Sequence, residues 1–76
     1  MTEVGPFNPD DVPGSLKRLR ARLGLSQTAF AKRYSLVVKT LQKWERGECY
    51  PDNSALSYLL VIDQIPGLVA SVFTDV

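Results

Sequence analysis

Residues 26–47, SQTAFAKRYSLVVKTLQKWERG, decide how the rest of this 76-residue chain is read. Ser26 opens the stretch as a helix N-cap, because its hydroxyl accepts from the free N–H groups of a first turn. Gln27 to Arg33 favour helix, with Phe30 and Ala31 on one side. Tyr34-Ser35-Leu36 is a short break, and a second helical run goes from about Val37 to Arg46. In that run Leu41 and Trp44 are spaced for burial. Val38, Lys39, Gln42, Lys43 and Arg46 fall at i, i+1, i+4, i+5 and i+8, which is a single opposite face. That face carries three cations, one amide and one small apolar group.

Two short helices joined by a tight turn, the second with a basic, amide-bearing face, form the helix-turn-helix pattern. The segment resembles the phage-repressor/Cro-like (XRE) helix-turn-helix family at Leu25-Ser26-Gln27, Phe30-Ala31, Thr40-Leu41 and Trp44-Glu45-Arg46-Gly47. Within that family it is most similar to the small HigA-type antitoxin repressors. The shared features are the Leu-Gly-Leu-Ser-Gln start at Leu23 to Gln27, the Trp-Glu-x-Gly end, the following Pro51-Asp52 and a short apolar last helix. The resemblance runs from about Leu16 to Val72. Two positions depart from it. Ser35 stands where the turn usually has Gly, and a left-handed residue other than Gly carries strain. Val37 stands where the second helix usually has a Ser or Thr cap, a loss of about 1 kcal/mol.

Outside the motif, length and composition suit one small domain, with 45% apolar and 22% charged residues. The longest unbroken apolar run, Leu59 to Ile62, is too short to span a bilayer. The N-terminal stretch lacks the basic start and apolar run of a signal peptide. Cys49 is the lone cysteine and there is no histidine, so a reduced, cytoplasmic setting is the simplest expectation. Charge is segregated. All nine Lys and Arg lie between Lys17 and Arg46, where Glu45 is the only acid, a net +8. The flanks hold seven acids and no base, −7, which reconciles with the overall +1. A basic block coinciding with a helix-turn-helix is the electrostatic footprint of a phosphate-binding surface; taken alone it reads as a solvated charged face, as most charge clusters do.

In chain order, residues 1–12 read as a flexible acidic arm and 13–76 as the helix-turn-helix domain. Asp10 or Asp11 caps a first helix with Pro13 near its start. That helix runs to about Leu23, buries Leu16, Leu19 and Leu23, and stops at Gly24. After a loop at Glu48 to Pro51, Asp52 or Asn53 caps a helix over about Ser54 to Asp63. Its Leu56, Leu59, Leu60 and Ile62 mark it as central to the core. A last helix, about Pro66 to Phe73, is nearly all apolar. Leu68, Val69, Val72 and Phe73 either pack on their own domain or form a dimerisation patch completed by a second copy. The fold class is all-α, a compact five-helix bundle with a helix-turn-helix, lambda-repressor-like by resemblance.

Each residue of the basic face has a chemical reason to meet DNA. Lys39 and Lys43, one turn apart, suit guanine O6 and N7; Gln42 suits adenine, and the Val38 methyls suit a thymine methyl. Ser26 and Gln27, at the start of their helix, and Thr40 and Arg46 suit phosphates. The resemblance implies the same division, with Val38, Lys39 and Lys43 as base readers and Gln27 and Arg46 on phosphate. It also implies that Arg20 of the first helix pairs with Glu45. We expect a partly buried bidentate ion pair there rather than a free surface pair. One recognition helix reads few base pairs, so a homodimer on a palindromic operator, half-sites about 34 Å apart, is the expected assembly.

No catalytic residue, metal site or cofactor is expected: there is no histidine, no ligand cluster and no Gly-rich phosphate loop, and Cys49 lacks a partner base. The leading functional reading is a sequence-specific DNA-binding repressor. Its sharper form is an antitoxin that represses its own operon and neutralises a cognate toxin, which the acidic arm would meet. The alternatives are a phage or mobile-element regulator without a toxin, and a helix-turn-helix-shaped protein-interaction module that does not bind DNA.

Overall fold

The computed structural model describes residues 6–74, and its regular elements are helices throughout. A short 3₁₀ turn, Pro9–Asp11, leads into α1, Val12–Leu23; then come α2, Gln27–Arg33, and α3, Val38–Arg46. Helices α4, Asn53–Gln64, and α5, Pro66–Thr74, complete the chain. No strand occurs among the described residues.

The helix starts follow local chemistry. Asp11, Ser26 and Asp52 each accept from the N–H three residues on, capping α1, α2 and α4. Val37 begins α3 with no side-chain cap. The ends of the first three helices share one hydrogen-bond pattern. Gly24 and Gly47 sit in the left-handed region at φ 70° and 73°. Around them Leu25 N–H donates to Arg20 O, and Glu48 N–H donates to Lys43 O, both at 2.9 Å. Ser35, at φ 58°, makes the same turn after α2, where Leu36 N–H donates to Ala31 O at 2.8 Å. A side chain in that region costs roughly 1–2 kcal/mol, so the turn geometry is kept against local preference.

Helix α3 packs against both α1 and α2, and α4 against α5. Leu16, Leu19, Phe30, Leu41, Leu59 and Ile62 are essentially sealed from solvent, each contributing about 1.5–3 kcal/mol by burial. Trp44 from α3 joins them, whereas Leu23, Leu56 and Leu60 are only half-buried. Tyr34, which reads in sequence as part of the break, is 1% exposed and tilts against Phe30 at 4.8 Å between ring centroids. Its hydroxyl donates to Pro66 O, and its carbonyl accepts from the Tyr58 hydroxyl, so the turn is tied to α4 and α5. Burial pushes both phenols above the ordinary tyrosine range.

The acidic arm is corrected over its described part. Phe7 is 6% exposed and belongs to the core. Its N–H donates to Asp63 Oδ2 at 3.2 Å, Asn8 exchanges hydrogen bonds with the Ser15 hydroxyl, and Pro9 O accepts from Tyr50. Val12 is already helical and buried. An aromatic ring with a core position to fill outweighs the Pro-rich, acidic composition around it. Residues 1–5 of the expected arm lie outside the described residues.

Candidate nucleic-acid interface

The α3 face reaches solvent as its periodicity requires. Leu41, Trp44 and Glu45 turn inward. Lys39, Lys43 and Arg46 are exposed, and Val38, Thr40 and Gln42 are half-buried. Val38 also packs against the core, which leaves only part of it for a base methyl.

Behind this face lies a polar chain that fixes α3 relative to α1 and α2. Arg20 Nε and Nη2 donate to Glu45 Oε2 and Oε1 at 2.6 and 2.8 Å, and Nη1 donates to Leu25 O at 3.1 Å. The Glu45 side chain is 2% exposed and that of Arg20 is 19%. Hydrogen bonding to Glu45 raises the Arg20 guanidinium above its ordinary value, so the arginine keeps its charge. Gln27 Nε2 also donates to Glu45 Oε1, at 3.1 Å, and Gln27 Oε1 accepts from Gln42 Nε2 at 3.4 Å. A carboxylate only accepts, so Glu45 sets which way the Gln27 amide faces, and through it the Gln42 amide. The Gln27 side chain expected on phosphate is therefore turned toward the protein, while its helix start remains at the surface.

Two of the other expected phosphate contacts, Ser26 and Arg46, also have partners within the chain. The Ser26 hydroxyl caps α2. Arg46 Nε donates to Glu48 Oε2 at 2.6 Å on an exposed surface. Hydrogen bonding to Arg46 holds the Glu48 carboxyl below the ordinary range, and Lys43 adds to this. No ion pair forms on Lys39 or Lys43 among the described residues.

On α5, Leu68 and Val72 are 64% and 63% exposed, and Phe73 is at the margin with 40%. Val69 is corrected: at 8% exposure it faces the core, because positions 68 and 72 share one side of the helix and 69 the other. Val61 on α4 and Ile65 just before α5 are exposed apolar residues as well. Phe73 also meets Leu25, Ala29, Lys32 and Arg33 around an open hollow of about 440 Å³.

One buried cluster left no readable sign in the sequence. Arg22 Nη1 donates to Asp63 Oδ1 at 3.1 Å and Nη2 to Asp63 O at 2.9 Å, with the acid's side chain 5% exposed. It joins residues 41 apart, and no spacing rule reports such a pair.

No group of acids, cysteine or histidine that would hold a metal occurs among the described residues. No single described helix is long and apolar enough to cross a membrane, and the apolar α4–α5 pair is bent by 113°. The curated proteins and the solved structures each gave no match to the chain. The helix-turn-helix family model matches residues 16–57, from α1 into α4, which is more than half of the chain. With the motif, its turn and its outward basic helix in place, the chain belongs to the XRE-type helix-turn-helix family of DNA-binding transcription regulators.

Proposed function

We propose that the protein is a sequence-specific repressor that lays α3 in the major groove of a palindromic operator. The observation that carries this reading is the outward face of α3. Lys39 and Lys43 stand exposed beside Gln42, on a helix locked to α1 by a buried ion pair. Amide and ammonium groups on a rigid helix supply the donors and acceptor that base edges require, and rigidity lets them select rather than merely attract. Lys39, Lys43, Gln42 and Val38 read bases; Thr40, Arg46 and the α2 start at Ser26 and Gln27 position the backbone. Two copies meet through Leu68, Val72 and Phe73, giving two half-sites about 34 Å apart.

The finer reading, an antitoxin that also neutralises a toxin, rests on resemblance alone: the Leu23 to Gln27 start, Pro51-Asp52 and the apolar last helix. It predicts a small basic ribonuclease-like reading frame beside the gene, whose product co-purifies with this chain. A regulator without a toxin would show neither.

The test is a gel shift on the DNA upstream of its own gene, over roughly 50–200 mM salt with random competitor. A specific complex that weakens steeply with salt and is lost in Lys39→Ala/Lys43→Ala supports the repressor. No binding at low salt refutes it and leaves a protein-interaction module.

A further inference from the structure

We infer that Glu48 competes with DNA phosphate for Arg46 and so sets the sequence-independent part of the affinity; this rests on the reading of α3 as the DNA-facing helix. Arg46 Nε and Nη2 donate to Glu48 Oε2 and Oε1 at 2.6 and 3.4 Å. A carboxylate thus occupies the planar fork that a phosphate would take. Its place is fixed by backbone geometry. Gly47 reverses the chain at φ 73°, and Glu48 N–H is anchored on Lys43 O at 2.9 Å. The carboxylate is drawn to both Arg46 and Lys43, two cations of the same face.

This pair differs from the two arginine–acid pairs of the basic block whose acid is buried. Glu45 and Asp63 are buried and hold helices together, with side chains 2% and 5% exposed. Glu48 and Arg46 are 51% and 57% exposed, a setting in which an ion pair adds little to stability. Its consequence is therefore expected in binding. To reach a phosphate, Arg46 must release Glu48 or carry the carboxylate up against the phosphate, and both oppose association. Glu48 hydrogen-bonds Arg46, a phosphate positioner, and forms no ion pair with a base reader among the described residues, so the effect is expected to be uniform across sequences.

The experiment measures binding of the full chain by fluorescence anisotropy to the duplex upstream of its gene and to a random duplex. The proteins are wild type, Glu48→Gln, Arg46→Ala and the double variant. Glu48→Gln is expected to tighten both duplexes by the same factor, about 3- to 10-fold at low salt. Its log–log salt slope should steepen by about 0.9, a further loss of roughly 3.5-fold between about 50 and 200 mM. In the Arg46→Ala background the same change should do little, and the thermal midpoint should not move. Unchanged or weaker binding by Glu48→Gln overturns the inference, as does an equal gain without Arg46, which would make Glu48 a plain surface charge. If wild type binds neither duplex at low salt, the DNA-binding reading itself falls, and this inference with it.

Discussion

Replacing Glu45 by Ala tests whether the helix-turn-helix is held by a buried charge or by packing alone. The carboxylate accepts two short bonds from Arg20 and one from Gln27, and its side chain is 2% exposed. Removing it leaves the guanidinium, only 19% exposed, with Leu25 O as its remaining partner. Stranding a buried charge in this way costs about 3–5 kcal/mol, against roughly 0–1 for a solvated surface pair. For a chain of this length total stability is about 4–11 kcal/mol, so the loss is a large fraction of the whole.

The assay is urea unfolding followed by circular dichroism. With a slope of about 1 kcal/mol/M for so small a domain, Glu45→Ala should lower the midpoint by about 3–5 M or leave little folded protein. Glu45→Gln keeps the size and one acceptor and gives a measurable variant, with an expected loss of about 1.5–3 kcal/mol. The double variant Arg20→Met/Glu45→Leu should recover most of what Glu45→Ala loses, because neither charge is then left buried. A loss below about 1 kcal/mol in Glu45→Ala, or a double variant no better than the single, would refute the reasoning.

Two further perturbations follow from exposed positions. Val37→Thr places an acceptor near the Thr40 N–H at the uncapped start of α3; Val37 is 66% exposed, so little packing is lost and stability should rise by about 1 kcal/mol in the same urea assay. For the proposed dimer, Leu68→Asp/Val72→Asp should leave the monomer folded and shift sedimentation from two copies to one, while Val69→Asp, a core position, should unfold the chain; a wild type that sediments as one copy refutes the dimer, and a first variant that still sediments as two moves the interface elsewhere.

The helix boundaries were legible because their signals are local. Ser26 and Asp52 cap where they stand, Gly24 stops α1, and the two departures at Ser35 and Val37 sit at a left-handed residue and an uncapped helix start. What was illegible lies between distant residues. Arg20 and Glu45 are 25 apart, and the pair was reached by resemblance rather than spacing. Phe7 was read as arm because composition averages over neighbours, whereas burial depends on one ring finding one gap.

The charge block shows the same limit in a form that bears on function. Counting gives a basic centre of +8 between acidic flanks, but the flanks do not stay apart from it. Asp11 returns to Arg18, Asp63 to Arg22 and Glu48 to Arg46, and the block's own Glu45 takes Arg20. The last return was hidden by a helical rule, since residues two apart do not face each other on a helix. Gly47 breaks the helix between them, and only then can Glu48 fold back onto Arg46. Four arginines are thereby tied to acids, while Lys39 and Lys43 project from α3 with no ion pair among the described residues. The face offered to a ligand is thus narrower than the block suggests. On α3 itself, affinity should depend on two lysines and one contested arginine.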